Sequence, residues 1–506
     1  MNHLADKLDL KLLVIGIDGA SSPLMEKLMQ EGDLPAFASM CDNGLSSVLD
    51  STFPPHTAPG WPSAFTGVNP GKHGIYQFWK TQQPDYQPQI VTALDMRREP
   101  LWKILERRGL RVGVVNVPMT HPPTPLAGGY MISWPLSATL HYCEPKHLIK
   151  ELANAGHHHH SDIITMYRGQ EDYIAKSDTY LTGRTDSLFY LQKTYPVDCL
   201  IVVYTEIDRI SHHFWGEQEA PSEWVTGAYR SMDRALGRLL EGASPDTLVV
   251  TLSDHGFGVC NRNLNVPCLL ESAGLLKTTY VKAGQDTAIE NEIGNDHLGW
   301  FSSSASYRRV IDWDSTRVYM PTPGCFGLNF NLRNRQTNGI VSLRDVRHIT
   351  KDIKQLFRDL KDPAGTPYFE VVDRAEIYSG NAVLEAPDLI LKPNHWDIMP
   401  HTSLEETIWS PPSQQAIHRM EGIFAAVGPN IEPARIPSAQ ITDVTPFILA
   451  QLGIPIPEDI DGHWLIDRDT PATREPAIPH IENQAPVLSS EEQALIEKRL
   501  QNLGYL

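Results

Sequence analysis

The sequence predicts an α/β fold: a parallel sheet with helices layered on both faces. Three observations support this. Short apolar runs recur along the chain and read as buried strands. Each ends in an acidic residue and a loop. Helical patterns separate them.

The runs are LLVIGID (Leu12 to Asp18), DCLIVVYTEID (Asp198 to Asp208) and TLVVTLSD (Thr247 to Asp254). Continuous β-branched stretches suit central strands of a parallel sheet, where both faces are covered. Helical spacing appears over Pro23 to Gln30, Leu101 to Arg108, Ser187 to Tyr195 and Glu223 to Leu240. In such sheets chemistry gathers beyond the carboxyl ends of the strands, where the acidic residues fall.

Between Phe257 and Ser315 the pattern loosens, and Val281 to Ser306 reads as a polar loop. Thr316 to Leu332 suggests paired strands around PTPG. Ser342 to Leu360 is an amphipathic helix with Val346, Ile349, Ile353 and Leu356 on one stripe. These parts form a smaller subdomain that returns to the main sheet at Gly422 to Gly428. A tail follows, Pro-rich and then helical over Ser490 to Leu503. Asn154 to Tyr167, with its histidine run His157 to His160, reads as a surface loop, since a bare histidine tract lacks defined geometry.

Composition narrows the function. The 506 residues carry a formal net charge of −18, which argues against a nucleic-acid polymer as partner. A small phosphate ester is compatible, because metal ions reverse the sign of a site locally. No run approaches the ~20 apolar residues of a membrane span. The first eleven residues lack the about 7–15 apolar residues of a secretory signal. Cys41, Cys143, Cys199, Cys260, Cys268 and Cys325 show no paired spacing and read as reduced thiols. The expected location is the cytoplasm, without membrane association.

Five segments carry candidate chemistry. Asp18 leaves its strand into Gly19, a residue that permits a tight turn and frees a carboxylate for a cation; a helix cap would look the same. Thr57, in FPPHTAPGWPSAF, precedes a helix start, where free backbone N–H groups can hold phosphate oxygens; it too could be only a cap. The NPGKHG that follows is a turn without Walker chemistry. In TEIDRISHHFW, Asp208 and His212 lie four apart and would share one helix face, whereas His213 points elsewhere. In SDHGFG, Asp254 and His255 can converge if the backbone turns at Gly256. His418 stands just before a strand in HRMEGIFAAVGP. Three carboxylates, three imidazoles and a hydroxyl suit two borderline cations such as zinc, with manganese or iron also compatible. Two such ions roughly 4 Å apart can serve an in-line displacement at phosphorus.

These motifs resemble the alkaline phosphatase superfamily, in particular its type I phosphodiesterase and nucleotide pyrophosphatase branch. The likeness spans IGIDGA, the Thr57 segment through KHGI, the D-x-x-x-H of Asp208 and His212, SDHG, His418 before GIFAAVGP, and DVTPFILAQLGIPIPEDIDG (Asp443 to Gly462). It implies one metal ion held by Asp208, His212 and His418, and another by Asp18, Asp254 and His255 with Thr57 beside it. It further implies phosphodiester or pyrophosphate cleavage in two in-line steps through a phospho-threonine. The fold it implies is an alkaline phosphatase-like α/β fold, a mixed, largely parallel sheet sandwiched between helices, with a catalytic core over 10–260 and 387–467, an inserted cap over 261–386 to which 134–194 contributes, and a tail over 468–506. Thr57-Ala-Pro-Gly-Trp lacks the C-x-P-x-R of sulfatases. Tyr76, Gln77 and Phe78 stand where nucleotide pyrophosphatases often carry an asparagine, which leaves the nucleotide open. Phosphonate or phosphomonoester hydrolysis at the same site is the alternative.

Overall fold

The computed structural model describes residues 7–87, 89–134, 142–157, 159, 171–216, 221–282, 307–463, 465 and 473–476. Most of the histidine run, most of the loop expected over Val281 to Ser306, and the helix expected over Ser490 to Leu503 lie outside them. The chain divides into two compact units: residues 1–75, 92–259 and 416–485 form the larger, and 76–91, 260–415 and 486–506 the smaller.

The larger unit is built on a nine-stranded sheet. Its strands in chain order are β1 (Leu12–Ile17), β2 (Leu45–Asp50), β3 (Val112–Val115), β4 (Tyr130–Ile132), β5 (Cys143–Glu144), β6 (Cys199–Tyr204) and β7 (Leu248–Leu252), then Glu421–Val427 and Ala434–Gln440. Across the sheet the order is Ala434–Gln440, β2, Glu421–Val427, β7, β1, β6, β3, β4, β5. The pairings around β1, β6, β7 and β3 are parallel, whereas Glu421–Val427 runs antiparallel to both β2 and β7. Every residue of β1, β6, β7 and β3 is buried. Successive side chains point to opposite faces, so complete burial means both faces are covered. The three acidic-ended runs are therefore the central strands, as their β-branched composition predicts.

The expected helices form with adjusted bounds: Ser22–Gln30, Leu101–Arg107 and Glu223–Gly242. The pattern over Ser187 to Tyr195 is only the end of a longer helix, Glu171–Thr194. NPGKHG is a single helical turn, Pro70–His73, with Asn69 Oδ1 accepting the Gly71 N–H at one end and Gly74 left-handed at the other.

In the smaller unit a four-stranded sheet runs Val318–Tyr319, Gly327–Phe330, Leu389–Pro393, Phe369–Asp373. Its first two strands flank PTPG, as predicted. The helix Leu343–Asp359 buries Ile349, Ile353 and Phe357, while Val346 and Leu356 are only half-buried. The buried stripe thus advances to Phe357, whose ring meets Phe369 edge-on. Val281 and Lys282 end a strand, Thr278–Lys282, paired with Tyr307–Ile311. The observed division differs from the sequence-derived boundaries. Leu389–Pro393 pairs with both Gly327–Phe330 and Phe369–Asp373, and Ile398–His401 and Trp409–Ser410 both pair with Arg262–Asn265, which ties the chain up to 415 to the smaller unit. The described part of 134–194 belongs to the larger unit, where β5 extends the main sheet from β4.

Among the described residues none of the six cysteines is joined in a disulfide. Among the described residues no helix is long and apolar enough to cross a membrane.

Candidate active site

The sheet register brings the candidate residues together. Ile17 pairs with Tyr204, and Gly16 with Leu252, so β1, β6 and β7 end side by side. Asp18, Asp208 and Asp254 follow those ends. His418 arrives from the opposite direction: Glu421–Val427 is antiparallel to β7, so its start lies where β7 finishes. His418 itself sits in a short strand, Ala416–Arg419, paired with Gly256–Val259 (β8).

Local structure sets each side chain. Gly19 has φ +72°, and a Cβ there would come within 2.6 Å of the Phe257 ring, so glycine is required after Asp18. The backbone bends at Asp254, just before Gly256. Gly256 opens β8, and a Cβ would stand 2.3 Å from the Glu421 carbonyl oxygen, so its role is close backbone approach. Asp208 and His212 lie on one face of the helix Glu206–Phe214, four residues apart. His213 is half-exposed, its ring 6.2 Å from that of His212.

Thr57 is the first residue of the helix Thr57–Thr66, and His56 is the cap, its Nδ1 accepting the Ala58 N–H at 3.1 Å. The free N–H groups expected beside the hydroxyl are largely committed. Ala58 donates to His56, Pro59 has none, and Gly60 donates to the His56 carbonyl at 2.9 Å. The fully buried Thr57 hydroxyl donates to Asp18 Oδ1 at 3.4 Å and lies 3.3 Å from His255 Nε2.

Two groups of donors surround it. In one, His255 Nε2 is 3.6 Å from Asp18 Oδ1 and 3.3 Å from Asp254 Oδ2. In the other, Asp208 Oδ1 is 3.5 Å from His212 Nε2 and 3.3 Å from His418 Nε2, and the two imidazole nitrogens are 3.0 Å apart. Asp208 Oδ1 also lies 4.0 Å from His255 Nε2, so the groups adjoin. All seven candidates from the sequence therefore meet in one place.

The donor set fits divalent cations. Ligand atoms about 2.0–2.1 Å from a tetrahedral ion stand about 3.3 Å from one another, close to the separations here. His418 Nδ1 donates to the Pro55 carbonyl at 3.0 Å and His255 Nδ1 to the Gly256 carbonyl at 3.1 Å, which leaves each Nε2 lone pair facing the carboxylates. Asp254 Oδ2 is buried with no hydrogen-bond donor. Asp18, Asp254 and His255, and separately Asp208, His255 and His418, have ligand atoms close enough to hold one ion each.

The electrostatics agree. Burial, then the neighbouring carboxylates Asp254 and Asp208, pushes the Asp18 pKa well above the usual range. Burial and Asp208 do the same to Asp254. Burial acts upward on Asp208 as well, but His212, His418 and Arg209 outweigh it and hold this carboxyl well below its ordinary value. Burial and the charge of His418 lower His255 and His56, and burial lowers His418, so these imidazoles stay neutral at pH 7. Three buried carboxylates beside neutral imidazoles form a site in need of added positive charge.

Sequence reasoning missed three neighbours. Trp61 Nε1 donates to Asp18 Oδ2 at 3.2 Å. Four residues past Thr57 on the same helix, it shares that residue's face, a signal that was available. Arg209 Nη1 donates to Asp208 Oδ2 at 3.0 Å. Phe257 sets its ring edge-on to His212, His255 and His418 with centroids 4.8, 5.7 and 4.9 Å away.

With this geometry in place, comparisons with known proteins can be read. The family model described as type I phosphodiesterase / nucleotide pyrophosphatase matches residues 12–423. No curated protein sequence matches. Murine ectonucleotide pyrophosphatase / phosphodiesterase 5 aligns with a TM-score of 0.53 at 14% identity, over 90% of this chain and 97% of that one. An inactive variant of that murine protein, a threonine replaced by alanine and AMP bound, gives 0.52 at 14% identity over the same shares. The human ectonucleotide pyrophosphatase / phosphodiesterase 5 gives 0.52 at 15% identity, again over 90% and 97%. At such identities the likeness is one of fold, the alkaline phosphatase-like α/β sandwich.

Proposed function

Because the chain belongs to the type I phosphodiesterase / nucleotide pyrophosphatase family, and is thus a phosphoric ester hydrolase, we propose that Thr57 attacks phosphorus in a phosphodiester or pyrophosphate-type bond. The observation that carries this reading is the convergence of Asp18, Asp208, Asp254, His212, His255 and His418 around the buried Thr57 hydroxyl.

Asp18, Asp254 and His255 would hold one divalent ion and Asp208, His212 and His418 the other, zinc being the best match to this nitrogen and oxygen set. Bound there, the ions would acidify a hydroxyl and neutralise charge on the reacting phosphoryl group. Thr57 contributes the nucleophile. Its hydroxyl proton points at Asp18 Oδ1, so the carboxylate lies on the path of proton departure. The Thr57 oxygen forms a bond to phosphorus as the bond to the leaving oxygen breaks, giving a phospho-threonine ester. Water then adds to phosphorus on the opposite side and Thr57 leaves, regaining its proton. His255 and His418 orient the site through Nε2, each fixed by its Nδ1–H on a backbone carbonyl. Trp61 steadies Asp18 through its second oxygen.

The AMP-bound, inactive threonine-to-alanine variant of the murine neighbour suits both a threonine nucleophile and a small phosphate ester. Hydrolysis of phosphonates or phosphomonoesters at the same site is the competing reading. The arginine found here is hydrogen-bonded to Asp208 and does not read as the clamp that a doubly charged ester requires. Six cysteines outside disulfides suit a reducing compartment.

The test compares bis(p-nitrophenyl) phosphate with the monoester, with and without added zinc or manganese. The diester should be preferred and turnover should need metal. A preference for the monoester would overturn the diesterase assignment.

A further inference from the structure

Arg209 occupies an improbable position. Neighbours i and i+1 on a helix do not normally face each other, yet Arg209 folds back onto Asp208, its Nη1 donating to Oδ2 at 3.0 Å. Its guanidinium lies 5.4 Å from the centroid of the Trp134 ring. Arg209 is only 4% exposed and Trp134 1%. Withdrawing a guanidinium from water costs several kcal/mol unless the partner geometry repays it, so a flexible surface arginine would not settle here by default.

The consequence concerns the two oxygens of Asp208. Oδ2 is engaged by Arg209, and Oδ1 faces His212 and His418 at 3.5 and 3.3 Å. Trp134 follows β4 and Asp208 follows β6, so the sheet itself supplies the stacking surface that keeps the guanidinium folded back.

We propose that Arg209, backed by Trp134, is a positioning residue for the cation subsite of Asp208, His212 and His418: it holds Asp208 so that Oδ1 alone is presented to the ion. The inference rests on the two-cation reading above. Arg209 acts through Asp208, so its removal weakens one subsite and leaves that of Asp18, Asp254 and His255 nearly intact. It also releases Oδ2, which becomes a possible second ligand atom and alters the coordination number.

The experiment titrates the metal-free full-length chain with Co2+, following d–d absorption, and counts bound zinc after dialysis against a competing chelator. The proteins compared are wild type, Arg209→Gln, Arg209→Lys and Trp134→Leu. Wild type should bind two ions. Arg209→Gln should lose about 10–100-fold in affinity at one of them, with weaker absorption as a second carboxylate oxygen joins the ion. Arg209→Lys, which restores a cationic donor, should recover part of both, and Trp134→Leu should fall between. Circular dichroism and melting of the metal-free forms separate loss of folding from loss of a ligand. If Arg209→Gln folds and binds two ions with wild-type affinity and spectrum, the positioning role is refuted although the two-cation reading stands. If wild type itself binds no second ion, that underlying reading fails instead. Should Arg209→Gln fail to fold, Arg209→Lys and Trp134→Leu decide: weakened Co2+ affinity at one site with the other retained supports the role, and wild-type affinity and spectrum in both variants refutes it.

Discussion

At the scale of single residues, the account depends on the Thr57 oxygen. Thr57→Ala should lower turnover by about 10^3-fold or more while two metal ions remain bound, because the six other donors are untouched. Steady-state kinetics beside metal analysis checks this, and an active Thr57→Ala enzyme would exclude the threonine as nucleophile. Thr57→Ser should keep measurable turnover. The seven residues of the cluster were legible because their motifs are short and chemically unusual: a carboxylate leaving an apolar run, a D-x-x-x-H pair, consecutive Asp254 and His255. Arg209 was not. An arginine beside an aspartate in sequence normally faces elsewhere, and only the fold brings Trp134 beneath its guanidinium.

Elements show where local reading meets tertiary constraint. The buried His73 in the helical turn Pro70–His73 accepts the Ile75 N–H at Nδ1 and shares a hydrogen bond with Ser63 Oγ through Nε2 at 2.9 Å. Burial, with the charge of Arg98 beside it, lowers its pKa to about 3. The unfolded chain takes up this proton near pH 6.5 and the folded chain only near pH 3, so His73 destabilises the fold as pH falls through that window. His73→Gln should flatten the dependence of unfolding free energy on pH there by up to about 1.4 kcal/mol per pH unit. Denaturant titrations at several pH values read this out, and an unchanged slope would contradict the assignment. Gly19→Ala should destabilise by about 1–3 kcal/mol, since its φ is +72° and Phe257 blocks the Cβ. Thermal melting checks it. The need for glycine at 256 was only partly legible: besides following the bend at Asp254, it makes room for a carbonyl of another strand, 165 residues away in the chain (Glu421 against Gly256).

For the whole molecule, the central strands were readable because burial on both faces demands unbroken apolar runs. Their sequence order across the sheet was not, because pairing between strands far apart in the chain leaves no local mark. The division at 415 depends likewise on Ile398–His401 and Trp409–Ser410 pairing with Arg262–Asn265, far earlier in the chain. Three buried carboxylates without cations strain the larger unit, so dialysis against a chelator should abolish turnover and lower the melting temperature. Zinc at a thousandfold excess over its dissociation constant should return about 4 kcal/mol per site. The most direct test of the account is acid quenching during turnover of a diester, followed by peptide mass spectrometry. The phosphoryl half of the substrate should be found esterified to Thr57, and to no residue in Thr57→Ala. Rapid hydrolysis with no adduct at Thr57, or with an adduct elsewhere, would contradict it.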